Sequence, residues 1–295
     1  MTGERPGPTA AGADCGSPHY GQLDAVATAR SAWSNELAFA TDTARAAGVV
    51  LMDHYERLEQ IDHKSARDVV TEADHLSEAL VIAAIRARYP DDAILAEESG
   101  AHAGASDRPP NARTWVIDPL DGTVNYANGL PVFCVSIGFV VDGRPVAGVV
   151  FDPTRGESFA ATADGPATLN GRPIRASTKE KLSDYVVSMA LSGRSVASRA
   201  RALRRDIRIT RSMGSASLGL AYVGNGRFDG FVQESGLSAW DIAAAGLIAE
   251  RAGAIVTAFD GRPWHDPAQR TWATGISAAP PSQHARLVAL ATGRA

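Results

Sequence analysis

The 295-residue sequence predicts an α+β protein built as two lobes. Three observations predict it. Apolar residues recur at helical spacing near residues 37–51 and 76–87. Apolar runs flanking Asp142-Gly143, and the turn Asn170-Gly171, signal an antiparallel sheet that follows those helices. After about residue 184, strand-like and helix-like segments alternate, which is the texture of an α/β unit. The lobe boundary falls within residues 172–184, giving a first lobe over 33–178 and a second over 179–295. Residues 1–32 read as a disordered tail from their composition and terminal position.

Each element has a local reason. Leu37, Ala40, Ala44, Ala47 and Leu51 predict a helix from Ser34 to about Leu58. Thr71-Glu72-Ala73-Asp74 resembles a capping box opening a second helix. Leu76, Leu80, Ala83 and Ala87 form its apolar face, and Tyr89-Pro90 ends it. Ala93 to Ala96 is a short strand, His102 to Asn111 a polar loop, and Thr114 to Ile117 a strand. Val135 to Val141 and Pro145 to Phe151 form a hairpin that Glu157 to Thr162 continues. In the second lobe, strands are expected at Asp184–Leu191, Ile207–Thr210, Asp229–Gln233, Ile255–Ala258 and Trp272–Ser277. Helices are expected at Val196–Arg205, Ser215–Val223, Ile242–Ala252 (stopped by Gly253) and from Ser282 onward.

Composition narrows the function. Hydrophobic residues at 45% support a core, and a net charge of −4 does not suggest a nucleic-acid partner. The basic run Arg199 to Arg211 is the exception, read as a solvated helix face or as a rim attracting an anionic substrate. With Cys15 in the tail and Cys134 in an apolar strand, no disulfide is expected, and a reducing cytoplasm fits. The start lacks the apolar core of a signal peptide. The longest strongly apolar stretch, Val132 to Val141, is too short to span a bilayer, so no membrane role is expected.

The chemistry concentrates in Trp115-Val116-Ile117-Asp118-Pro119-Leu120-Asp121-Gly122-Thr123-Val124-Asn125-Tyr126. A buried strand ends in two carboxylates three residues apart, with a proline between them fixing the backbone. Buried carboxylates repel one another unless a cation neutralises them, and a hard divalent metal suits their oxygens. The Gly-Thr that follows suits a helix N-terminus, whose free N–H groups bind phosphate. Metals, carboxylates and a phosphate cradle point to metal-assisted phosphate hydrolysis.

Asp-Pro-Leu-Asp-Gly-Thr-x-Asn-Tyr resembles the signature of the inositol monophosphatase family, magnesium-dependent and lithium-sensitive phosphatases. Asp68-Val69-Val70-Thr71-Glu72-Ala73-Asp74, Leu95-Ala96-Glu97-Glu98-Ser99-Gly100 and Trp240-Asp241-Ile242-Ala243-Ala244-Ala245-Gly246 agree with it, in the family's order, and the resemblance covers roughly residues 33 to 290. It implies a layered α-β-α-β-α sandwich, like that of fructose-1,6-bisphosphatase. It implies two to three Mg2+ ions: Glu97, Asp118 and the Leu120 carbonyl on the first, Asp118, Asp121 and Asp241 on the second, with Glu97 also on a weaker third. Thr123 and Asp74 map onto the pair that orients or deprotonates the attacking water, and Gly122 and Thr123 N–H groups onto the phosphate cradle. Glu98 matches a position beside a metal ligand, and Lys64 falls near a family lysine. Gly214, Ser215 and Ala216 resemble the loop lining the leaving group, Glu234 a carboxylate binding substrate hydroxyls, with Gln233 the neighbour that could replace it, and Asp121 reaches a further hydroxyl. Ser192-Gly193-Arg194 resembles an opposing wall. A homodimer is the family expectation.

Each residue also has a plainer reading. Asp74 and Asp241 alone are helix caps, Asp68 caps a turn, Glu97-Glu98 alone is a solvated loop pair, and Trp240 is packing. Co-occurrence favours the site. The seven histidines show no zinc-type pairing, no Gly-x-Gly-x-x-Gly follows a strand, and Gly-x-Ser-x-Gly is absent. The expected substrate is a small phosphorylated polyol such as inositol 1-phosphate. Fructose 1,6-bisphosphate and histidinol phosphate are the alternatives, with 3′-phosphoadenosine 5′-phosphate disfavoured for lack of an aromatic platform, and Arg194, Arg199 or Arg201 would serve a second phosphate. A role of another class, protein interaction with incidental phosphatase activity, stays open.

Overall fold

The alternation read from the sequence is realised as two sheets with helices between and outside them. The computed structural model describes residues 31–56, 61–65, 68–105, 112–193 and 195–294. The expectations for the tail, for the side chains of Lys64 and Asp68, and for Arg194 lie outside the described residues.

In the first lobe the order is α1 (Ser34–His54), β1 (Ile61–Ser65), β2 (Asp68–Thr71), α2 (Glu72–Arg88), β3 (Ala93–Ala96), β4 (Gly100–His102), β5 (Arg113–Asp121) and α3 (Thr123–Ala127). Then come β6 (Cys134–Val141), β7 (Arg144–Asp152), β8 (Glu157–Thr162), β9 (Thr168–Leu169) and β10 (Arg172–Pro173). Eight of these strands form one sheet in the order β10-β9-β8-β7-β6-β5-β3-β4. The second lobe runs β11 (Val186–Ala190), α4 (Val196–Asp206), β12 (Ile209–Arg211), α5 (Ala216–Gly224), β13 (Gly230–Gln233), α6 (Ala239–Arg251), β14 (Ile255–Ala258), β15 (His265–Asp266), β16 (Thr271–Trp272), β17 (Ile276–Ala279) and α7 (His284–Thr292). Its sheet has the order β12-β11-β13-β17-β14. Helices α1 and α2 cover one face of the large sheet, α5 and α6 lie between the two sheets, and α4 and α7 pack on the far side. These are the five layers of an α-β-α-β-α sandwich.

Two features of the large sheet depart from a plain antiparallel reading. Strand β3 joins β5 in parallel, with Ala96 opposite Ile117. Strand β5 runs past Ile117 to Asp121, and its pairing with β6 shifts between Asp118 and Asp121. Residues three apart on a regular strand point to opposite faces. The irregularity, at Pro119, lets both carboxylates serve one site.

The central layer fits because the facing residues are small. Gly138 on β6 and Gly148 on β7 are register partners. A Cβ on Gly148 would lie 2.7 Å from Ala244 Cα, and one on Gly138 would lie 3.0 Å from Ala243 Cβ. Helix α6 therefore sits closer to the sheet than side chains there would allow. On the opposite face Trp115, Phe139, Phe39 and Tyr89 form an aromatic core, with Trp115 and Phe139 ring centroids 4.6 Å apart.

The strand expected over Trp272–Ser277 is two strands. Thr271–Trp272 pairs with β15 and Ile276–Ala279 joins the second sheet. Gly275 separates them and lies against the Glu234 backbone, where a side chain has no room. No helix among the described residues is long and apolar enough to cross a membrane.

Candidate metal and phosphate site

Five chain segments meet where β3 ends beside β5. Strand β3 ends beside β5, and the Glu97 N–H donates to the Ile117 carbonyl at 3.1 Å. Glu97 is thereby placed next to Asp118. Helix α2 brings Asp74, α6 brings Asp241, and α5 begins against Asp121.

Asp74 and Asp241 are delivered by the same local device. Each is the third residue of its helix and closes a capping box, with Thr71 and Ser238 as the respective N-caps. The Thr71 N–H donates to Asp74 Oδ2 at 2.8 Å, and the Ser238 N–H donates to Asp241 Oδ2 at 2.6 Å. Asp74 is the capping-box carboxylate read from the sequence, whereas Asp241 is not the N-cap: α6 begins at Ala239, before the expected Ile242, with Ser238 as its cap; each carboxylate keeps a second oxygen for the site.

Ligand oxygens of Asp118, Asp121 and Asp241 all lie within 4.8 Å of one another. Asp118 and Asp121 are only 1% and 7% exposed, so water screens them little. Burial, then the neighbouring Glu97, Asp121 and Asp241 carboxylates, holds Asp118 far above the usual carboxylate range. Burial and Asp121 push Asp241 up to about 8. Burial also raises Asp121, against the opposing pull of donors from Ser215, Ser217 and Ala216. A divalent cation is the partner such a set fits, because oxygens already crowd where it would sit.

Asp121 also ties the lobes together. Its carboxylate accepts Ser215 Oγ at 2.6 Å, the Ser217 N–H at 2.7 Å and the Ala216 N–H at 3.2 Å. Ser217 Oγ donates in turn to the Asp241 carbonyl at 2.8 Å. Ser217 escaped the sequence reading, since a serine in an apolar helix carries no signal until its partner is known. Trp240 packs with Val116, Val140, Ala239 and Ala243.

Thr123 stands between the cluster and Asp74. Its Oγ1 lies 3.2 Å from Asp74 Oδ1 and 3.0 Å from the Leu120 carbonyl, so its one proton serves either acceptor. Burial, and to a lesser degree Glu98, raises Asp74 to about 6 despite hydrogen bonds from Thr71 and Thr123. Gly122 has φ +98°, and a Cβ there would meet the Val132 carbonyl at 2.8 Å. Glycine lets the chain turn directly from β5 into α3.

A cavity of about 300 Å³ runs from Asp121 and Asp241 along Ser188–Ala190 and the loop 212–216, and reaches Gln233. Gly214, Ser215 and Ala216 line it as expected. Glu234 lines a neighbouring cavity instead, with Arg199. Both carboxylate oxygens of Glu234 accept from the Arg199 guanidinium, at 3.0 and 2.8 Å, and the Ser192 N–H adds a third bond at 2.8 Å. Burial alone would raise Glu234, but the Arg199 and Ser192 donors outweigh it and hold the carboxyl below its ordinary value.

The inositol monophosphatase family profile matches residues 32–293. The chain is 41% identical over 233 residues to the Nus factor SuhB of Pasteurella multocida, covering 76% of this chain and 85% of that one. It is 41% identical over 234 residues to the inositol-1-monophosphatase of Synechocystis sp., covering 77% and 80%. The crystal structure of the extragenic suppressor protein suhB from Bartonella henselae superposes with a TM-score of 0.80 at 30% identity, over 88% of this chain and 98% of that one. Layered sheets, a buried carboxylate cluster and these matches agree: the chain belongs to the inositol monophosphatase family.

Proposed function

We propose that the chain is a magnesium-dependent phosphomonoester hydrolase acting on a polyol monophosphate such as inositol 1-phosphate. The observation that carries this is the junction of the Asp118–Asp121–Asp241 cluster with a polar cavity of about 300 Å³. Glu97, Asp118, the Leu120 carbonyl, Asp121 and Asp241 would hold two to three ions. Bound there, the metal supplies an acidified water and neutralises charge on the phosphoryl and leaving oxygens.

The chain's own groups do the rest. Thr123 Oγ1 orients the water and passes its proton to Asp74 Oδ1, 3.2 Å away. A carboxyl titrating at about 6 is ionised at neutral pH yet basic enough to accept a proton in the transition state. The N–H groups of Gly122 and Thr123 cradle the phosphate. The leaving group occupies the cavity, where Ser188, Ser212, Ser215 and Gln233 offer hydroxyl and amide partners. No Lys or Arg is among the described residues lining that cavity, and Arg199 already grips Glu234. Those surroundings favour an uncharged polyol over a second phosphate. Glu234 stays in the proposal as a wall carboxylate beside Gln233. A homodimer in the cytoplasm completes the reading.

The test is phosphate release from inositol 1-phosphate, fructose 1,6-bisphosphate, histidinol phosphate and 3′-phosphoadenosine 5′-phosphate, with magnesium, with chelator and with lithium. Magnesium-dependent, lithium-suppressed release from inositol 1-phosphate supports the reading. Release from the bisphosphates alone moves the substrate, and release from none removes the activity.

Relatives named as Nus factors favour a second reading, in which the surface also binds a protein partner. An Asp118→Asn variant that keeps a captured partner while losing hydrolysis separates the two roles.

A further inference from the structure

We propose that Glu78 is a positioning residue that presents Glu97 to the metal ions; the proposal rests on the metal-dependent reading above. Glu78 lies one helical turn beyond Asp74 on α2 and is 4% exposed. Its carboxylate meets backbone: the Glu98 N–H donates to Oε2 at 2.9 Å and the Ser99 N–H donates to Oε1 at 2.9 Å. Both donors belong to the turn between β3 and β4 that carries Glu97. The Glu97 N–H is held from the other side by the Ile117 carbonyl. Glu97 is thus fixed both before and after its Cα.

Ser77 completes the arrangement. Its Oγ donates to the Pro119 carbonyl at 2.9 Å, on the segment of β5 between Asp118 and Asp121. One face of α2 therefore holds both strands that deliver acidic ligands: Ser77 and Glu78 follow Asp74 by three and four residues, the spacings that put side chains on one helix face. The physical need is specific. Glu97 must stay beside Asp118 before any cation arrives, so the turn that carries it has to be held from outside the site. Two N–H···carboxylate bonds hold it, and hydrogen bonds to a charged acceptor are the stronger kind. A buried carboxylate with no such task would be costly to keep in a helix face.

The test compares wild type with Glu78→Gln and Glu78→Asp. Glutamine has nearly the same shape but offers one acceptor and sets an NH2 group against the second N–H. Mn2+ is titrated calorimetrically into each metal-free protein, magnesium half-saturation is read from phosphate release, and melting is followed without metal. Losing a group that orients a metal ligand typically weakens affinity by about 10- to 100-fold. We expect a shift in that range for Glu78→Gln in both the Mn2+ dissociation constant and the magnesium half-saturation, with Glu78→Asp between it and wild type. If Glu78→Gln does not fold, Glu78→Asp carries the test. Metal affinity equal to wild type in the folded variants, whether or not melting falls, overturns the proposal. Wild type binding no divalent ion overturns the metal reading itself, so the two failures are distinct.

Discussion

A buried acidic cluster and a half-buried glutamate in this protein meet opposite surroundings. Around Asp118, Asp121 and Asp241 the near charges are other carboxylates, and all three carboxyls sit above their ordinary range. Around Glu234 the near charge is the Arg199 guanidinium, and the carboxyl sits below it. Arg199 also donates to the Ser192 and Ala291 carbonyls, at 2.7 and 3.1 Å, so the pair closes on the protein itself. The first set is a cluster that could hold a metal ion. The second is complete as folded and serves to shape the wall next to the cavity.

This contrast can be broken at either end. Asp118→Asn removes a carboxylate from the uncompensated set. Activity on inositol 1-phosphate should fall by on the order of 1,000-fold or more, as expected for losing several kcal/mol of metal-based stabilisation. The metal-free variant should nevertheless melt higher than wild type, because the cost of burying and protonating that carboxyl is gone. Thr123→Ala, which breaks the relay to Asp74, should lower kcat by about 100-fold or more and leave metal affinity near wild type, measured by steady-state kinetics and calorimetry. At the compensated end the sign reverses. Arg199→Leu leaves Glu234 without its cation and should cost about 2 kcal/mol in denaturant unfolding, a figure reduced for partial exposure. The double change Arg199→Leu with Glu234→Leu should recover much of that loss.

The smallest effect is on pH dependence. A carboxyl whose folded value lies above its unfolded value holds its proton more tightly in the fold. Stability from such groups is present at low pH and lost as pH rises through the folded values. Asp74 at about 6 and Asp241 at about 8 place that loss between about pH 4 and 8 for the metal-free chain. Scanning calorimetry should show magnesium raising the melting temperature more at pH 8 than at pH 5.

The sequence made the acidic cluster legible because its signals are local. Asp118-Pro119-Leu120-Asp121 is contiguous, and Thr71-x-x-Asp74 follows a helix-capping rule that holds without knowledge of the fold; the second capping box, from Ser238 to Asp241, is visible only in the fold. The hairpins at Asp142-Gly143 and Asn170-Gly171 were legible for the same reason: both pairs take positive φ, which those residues tolerate. What needed the fold was anything set by a distant partner. The shift in β5 depends on its register with β6. Glu234 looked available until Arg199, 35 residues earlier, closed on it. Glu78 carries no motif, and its partners at Glu98 and Ser99 are visible only in the fold. A hint existed, since it shares a face with buried Val81 and Ile85, where an unpaired charge is out of place.

The most direct measurement is calorimetric titration of magnesium into the metal-free protein at pH 7, in two buffers of different ionisation enthalpy. Carboxyls held above their ordinary range must give up protons to take an ion. Saturable binding with net proton release is expected, with loss of both in Asp118→Asn. Absence of binding, or binding without proton release that Asp118→Asn leaves intact, would contradict a metal role for the cluster.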